Sequence, residues 1–195
     1  MPIAVDHEAR KEFVAEVAAG LIASEGLEAT TMRTVAKAAG CSTSIITHYF
    51  KDKSALLERT YLSIAKRRRS RLVQLAVAAG NPLRECALAL LPIGKEARRD
   101  WLVYCAFLAS GIAQRELSHV QAQWIGHTVE LFRDLLARSG REGASGDVDE
   151  HGVRIVAFLT GLSVLNILDP EAYSEARMIE LVDNELGVGK QDVAV

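Results

Sequence analysis

Cysteine is scarce in this chain: three residues in 195, none in a CxxC pair and none with a histidine at metal-ligand spacing. That excludes a disulfide framework and a zinc site, so Cys41, Cys86 and Cys105 read as buried or inert thiols and no metal or cofactor is expected. No apolar stretch reaches about 18 residues free of charge, and the first residues lack a basic segment followed by an apolar one. A cytoplasmic, soluble protein with no membrane partner is the expectation. No run of β-branched or aromatic residues alternates with period two, which argues against strands. Internal repeats are absent too.

What is present is apolar content, 49% of residues, ample for a core in a chain of this length. Net charge is −2, but unevenly spread: residues 1–71 hold 12 Lys and Arg against 8 Asp and Glu, and the remainder holds 11 against 17. An anionic partner for the N-terminal part alone is the implication. Apolar residues recur at helix period throughout. The first helix carries Phe13, Val14, Val17, Ala18, Leu21 and Ile22, with Asp6 as its cap and Gly26 as its stop. Thr31 caps a second helix that Gly40 ends, and Ser42 caps a third through Tyr49. Asp52 opens a long fourth helix, residues 53–79. Further helices are predicted over Leu83–Leu91, Glu96–Ala113, Glu116–Ser139, Asp149–Leu168 and Ser174–Leu186, with "SGREGASGD" the loosest connector. The predicted class is all-α, about nine helices. Residues 5–52 form a three-helix unit, and residues 53–190 form a larger helical domain that begins with the linking helix.

The stretch "TMRTVAKAAGCSTSIITHYF" has the lengths of a helix-turn-helix. Ala36 is small where two helices cross, and Gly40 suits a positive φ that a side chain would penalise by about 1 kcal/mol or more. At 100° per residue, Thr43, Ser44, Thr47 and His48 fall within an arc of about 140°, while Ile45, Ile46 and Tyr49 lie opposite. The apolar side anchors the helix and the polar side faces outward. Hydroxyls and imidazole can hydrogen-bond base edges, and a Thr methyl can pack on the thymine methyl. Ser42 and Lys53 suit phosphates. The competing reading is a capped surface helix in an ordinary bundle, and the combination of features favours DNA. His48 has no Ser, Cys or Asp partner at a known triad spacing, so no catalytic residue is assigned and no enzyme is expected.

At these residues the chain resembles the TetR family of bacterial transcriptional regulators. "AGCSTSIITHYFKDKSALLE" is most similar to the choline-responsive BetI type, with Ser44 standing where that type usually has Gly and Cys41 where it has Val. The resemblance implies a homodimeric repressor on double-stranded DNA with a palindromic operator, released when a small-molecule effector binds the C-terminal domain. By matching position, Thr31, Arg33, Thr43, Ser44, Thr47 and His48 would touch bases or nearby sugar-phosphate, and Ser42, Tyr49 and Lys53 the backbone. "DWLVYCAFLAS" and "AFLTGLSVLNILDPE" resemble the BetI-type domain, with Thr160 in place of an Asp. That likeness implies a small-molecule effector, either a quaternary ammonium compound or another apolar drug-like or metabolite ligand that suits the same helices.

Other features carry two readings each. Trp101, Tyr104, Phe107 and Trp124 either line an aromatic cage for a cation, with Glu116 or Asp100 balancing its charge, or are core and dimer contacts. The "KRRRSR" run, residues 66–71, is either a long-range attractant for DNA or a solvated face paired with C-terminal acids. Two helices, Glu116–Ser139 and Asp149–Leu168, are apolar on more than one face and form either a four-helix dimer interface or a buried pair. For the whole chain the alternative is a helical small-molecule-binding protein or enzyme that does not act on DNA.

Overall fold

The computed structural model describes the backbone of residues 3–78, 80–113, 115–139 and 148–188, and the side chains of residues 7–78, 80–109, 119–139 and 150–188. Among the described residues there are nine helices and no strand, so the all-α expectation holds. They are α1 (Ile3–Ala29), α2 (Met32–Ala38), α3 (Thr43–Tyr49), α4 (Lys53–Ala78), α5 (Pro82–Leu90), α6 (Gly94–Ala113), α7 (Arg115–Arg138), α8 (Val148–Leu168) and α9 (Glu175–Glu185). Two expectations about α1 need correction. The helix begins at Ile3, which puts Asp6 inside it rather than at its cap. Gly26 does not stop it either: with φ 83° and ψ 171° it kinks the chain, and a last helical stretch follows to Ala29. Eight of the nine residues of the connector "SGREGASGD", and Ala79 at the end of the long helix, lie outside the described residues.

The chain divides into two compact units, one joining residues up to Arg67 with Leu102–Gln121, the other joining Arg68–Trp101 with residues from Ala122 onward. In the first unit Val14 and Ala18 of α1, Val35 and Ala36 of α2, Ile46 of α3, Phe50 and Leu56 make one apolar cluster. Beside it a polar ladder ties α1 to α4. Arg59 reaches Glu8 at 3.1 Å and Glu12 at 3.0 Å, Ser63 donates to Glu12, and Arg67 reaches Glu16 at 3.1 Å. Both helices present these groups at i, i+4 and i+8, one face of a 3.6-residue period. The Lys11 ammonium, with Arg59 behind it, holds the Glu8 carboxyl below the usual carboxylate range.

The second unit is built on Leu83, Cys86 and Leu90 of α5, Phe132, Leu135 and Leu136 of α7, Ile155 and Leu159 of α8, and Met178 and Val182 of α9. Arg84 and Asp183 join α5 to α9 through two parallel bonds, Nε to Oδ1 at 2.6 Å and Nη2 to Oδ2 at 3.0 Å. The Asp183 carboxylate raises the arginine's pKa still further. Helices α7 and α8 cross closely at Gly152, where a Cβ would lie 2.7 Å from Arg133 Cγ and 3.4 Å from the Val129 carbonyl oxygen. Helix α8 is long and apolar enough to cross a membrane by length and composition. One of its faces, Ile155, Val156, Leu159 and Leu162, is packed in the core, while Val153, Leu165 and Leu168 are exposed.

Of the three thiols expected to be buried or inert, Cys86 is buried, while Cys41 and Cys105 are half-buried. Cys86 is fully buried, donates to the Leu72 carbonyl at 3.4 Å, and has its pKa pushed up to about 11, chiefly by burial and secondarily by Glu85. Burial raises the Cys105 thiol as well.

Candidate nucleic-acid interface

The helix-turn-helix is held by caps at each bend. Thr31 Oγ1 accepts from the Thr34 amide at 3.1 Å while Thr34 Oγ1 accepts from the Thr31 amide at 2.8 Å, a reciprocal capping box that fixes the start of α2. At the other end Gly40 takes φ 66°, the Cys41 amide donates to Ala36 O at 3.0 Å and the Gly40 amide to Lys37 O at 3.2 Å. That pair of bonds is the Schellman arrangement, and the left-handed residue within it is what reverses the chain between α2 and α3. Asp52 then opens α4, its Oδ1 accepting from the Ala55 amide at 2.8 Å.

Helix α3 is anchored by Ile46, with no exposed surface, and by Phe50 one turn on, at 4%. Burying an isoleucine of this kind contributes about 1.5–3 kcal/mol. Ile45, expected on the anchoring side, is 39% exposed. At 100° per residue it falls between His48 and Tyr49, at the edge of the polar arc, and the apolar anchor is narrower than the pattern of residue types suggests. Thr43, Ser44, Thr47 and His48 are all exposed, as are Thr31 and Arg33 from α2, and Tyr49 is half-buried.

Ser42 occupies the position before α3 without the cap bond expected of it; its hydroxyl pairs instead with that of Ser44 at 2.8 Å. Thr47 Oγ1 donates to the Ser44 carbonyl at 3.1 Å. Lys53, half-buried, donates to the Leu27 carbonyl at 2.7 Å, using one of its three N–H groups. One neighbour escaped the sequence reading. The His7 ring of α1 stands edge-on to Tyr49 at 4.7 Å and to His48 at 5.8 Å. His48 and Tyr49 are themselves 5.3 Å apart, so three rings form one cluster at the end of the exposed face. Nothing in the mixed-charge segment "VDHEARKE" signals this, because the partners lie about 40 residues apart and α1's extra N-terminal turns create the contact.

The four aromatic candidates for an effector site fall in different units. In the first, Phe107 is buried against Tyr61 with ring centres 5.3 Å apart, and Tyr104 is half-buried. In the second, the indole N–H of Trp101 donates to the Leu90 carbonyl at 2.6 Å, and Trp124 meets His127 edge-on at 5.8 Å. Asp100 is buried with Arg99 at 3.1 Å, and the side chain of Glu116 lies outside the described residues. The basic run also makes contacts that neither reading named. Arg67 pairs with Glu16 of α1, while the guanidinium of Arg68 lies 5.0 Å from the centre of the Trp101 ring and that of Arg69 6.0 Å from Trp124.

An exposed polar helix face, backed by a buried isoleucine and set after a glycine turn, belongs to a helix-turn-helix DNA-binding protein. Residues 14–60 match the model for bacterial regulatory proteins of the tetR family, and residues 81–187 match that for the C-terminal domain of BetI-type transcriptional repressors. The chain therefore belongs to the TetR family, with a C-terminal domain of the BetI type: it is a transcriptional regulator and not an enzyme. It is 25% identical over 185 residues to the regulator PksA of Bacillus subtilis, covering 93% of this chain and 90% of that one. With the regulator BetI of Serratia proteamaculans it shares 27% identity over 180 residues, 88% of each chain. A transcriptional regulator of Saccharomonospora viridis solved in complex with choline has the same fold, with a TM-score of 0.77 at 19% identity over 93% of this chain and 97% of that one.

Proposed function

We propose that the protein is a homodimeric repressor that reads a palindromic operator with α3 and leaves it when a small-molecule effector binds. The observation that carries this reading is the sidedness of α3: Ile46 completely buried, and Thr43, Ser44, Thr47 and His48 all exposed. Two such helices set about 34–36 Å apart enter successive major grooves, which is why a two-fold protein takes a two-fold site. In this reading Thr31, Arg33, Thr43, Ser44, Thr47 and His48 meet bases or the adjoining sugar-phosphate, and Ser42, Tyr49 and Lys53 meet the backbone. Residues 5–52 bind DNA and residues 53–190 bind effector and partner. The protein works where the operator is, in the cytoplasm.

Dimerisation is supported by α8, whose exposed Val153, Ala157, Gly161, Leu165 and Leu168 recur at three- and four-residue intervals on one side. A second copy of the same stripe would cover it. A quaternary ammonium effector is supported by the choline found in the Saccharomonospora viridis regulator, by the BetI-type C-terminal domain and by the chain's own tryptophans. A gel shift on the gene's own upstream region, run at two salt concentrations beside random duplex and repeated with choline, tests the proposal. Retention of the upstream palindrome over random duplex, reversed by choline, is expected. Equal retention of both DNAs would count decisively against operator reading, and retention untouched by choline would count against the effector.

A further inference from the structure

Among the described residues, Ile45 is the one large apolar side chain of the helix-turn-helix that the fold leaves exposed. The others are taken. Val35, Ala36, Ile46 and Phe50 are buried in the apolar cluster of the first unit, and Met32, Cys41 and Tyr49 are packed against it. A single exposed isoleucine is ordinary on a protein surface, so its place on the helix is what counts. At 100° per residue, the direction opposite the buried Ile46 falls between Ser44 and His48. Ile45 and Thr47 then stand about 80° to either side of that direction, while Thr43 stands about 120° away. Ile45 therefore flanks the centre of the exposed face as closely as Thr47 does.

The hydroxyls of the same face are already engaged within the chain. Ser44 Oγ pairs with Ser42 Oγ at 2.8 Å, and Thr47 Oγ1 donates to the Ser44 carbonyl at 3.1 Å. In this arrangement the single Thr47 hydroxyl proton is spent, and toward a base that oxygen only accepts. A groove-facing surface that joins such an acceptor to a sec-butyl group is complementary to a base edge that is itself partly apolar. In the major groove that edge belongs to thymine, whose C5 methyl stands there and is absent from the minor groove. We propose that Ile45 is a specificity-determining residue, its side chain packing on the methyl group of one thymine in each half of the operator. This rests on the operator reading above and adds to it one base and the group by which that base is recognised.

Exchanging thymine for deoxyuridine removes the methyl and leaves every hydrogen-bonding group of the base in place. In gel shifts on the upstream palindrome, each thymine is exchanged in turn, symmetrically in both half-sites. At one of them the parent should lose about fourfold in affinity per half-site, the effect of one methyl group returned to water. Ile45→Ala should lose nothing further at that position while keeping the parent's response at every other thymine. Ile45→Val, which retains a branched side chain, should keep most of the parent's loss. Should Ile45→Ala melt well below the parent, the parent complex supplies its own test: with isoleucine methyls selectively labelled, Ile45 should show a nuclear Overhauser effect to a thymine methyl. Identical uridine profiles for the parent and Ile45→Ala, a parent indifferent to every exchange, or a complex without that Overhauser effect overturns the Ile45 contact and leaves the operator reading standing. Equal retention of the palindrome and random duplex by the parent removes both.

Discussion

Lys53 at the start of α4 donates its ammonium to the carbonyl of Leu27, just past the kink in α1, at 2.7 Å. The residue proposed to hold a phosphate thus also fastens the segment that leads into the helix-turn-helix. Lys53→Met should show both roles. Removing the donor from a half-buried carbonyl should lower unfolding free energy by about 1–2 kcal/mol in urea titrations. The slope of log operator affinity against log salt should fall by about one unit. A changed slope with unchanged stability would mean that the Leu27 bond contributes nothing.

Ile46 and Thr47 are neighbours with opposite duties. Ile46→Ala opens a void in the smaller apolar cluster and should cost about 2–5 kcal/mol of stability, measured by denaturant unfolding. Thr47→Ala should leave stability within about 0.5 kcal/mol and weaken specific operator binding by about 1–3 kcal/mol, with random duplex hardly affected.

Leu165 and Leu168 of α8 are exposed, Leu168 by 76%. Introducing charge with Leu165→Glu and Leu168→Glu should convert a dimer to a monomer in sedimentation while preserving helical content, since neither residue is part of its own chain's core. A dimer that survives both changes would place the two-fold contact elsewhere.

Cys86 offers a pH test. A thiol pushed up to about 11 keeps its proton until well above neutrality, so at pH 8 its thiolate fraction is about one in a thousand. Iodoacetamide at pH 8 should leave Cys86 unmodified in the native protein and alkylate it fully in denaturant, as peptide mass mapping would show. Reactivity should rise only as pH approaches the raised value.

Much of this was legible in the sequence because local chemistry set it. Thr31 caps α2 from the residue before it, Gly40 announces a left-handed residue, and the helical periods of α4 to α9 placed their ends within one or two residues. What could not be read depends on partners far apart in the chain. Choosing between Ile45 and Ile46 for burial requires knowing where α1 and α2 press on α3. His7 meets His48 and Tyr49 only because α1 starts at Ile3, and a cation run pairing with tryptophans more than 30 residues away has no periodic signature. Gly26 misled for another reason: it takes positive φ as a helix stop would, yet the helical turn resumes after it.

The ladder between α1 and α4 bears on how operator assays are to be interpreted. Its charged rungs are exposed to solvent, and added electrolyte weakens them together with any phosphate contact. A salt titration of DNA affinity therefore carries an internal contribution from helix pairing wherever that pairing differs between free and bound protein. Subtracting the parent's curve from a variant's removes that shared background and isolates the phosphate that each side chain neutralises.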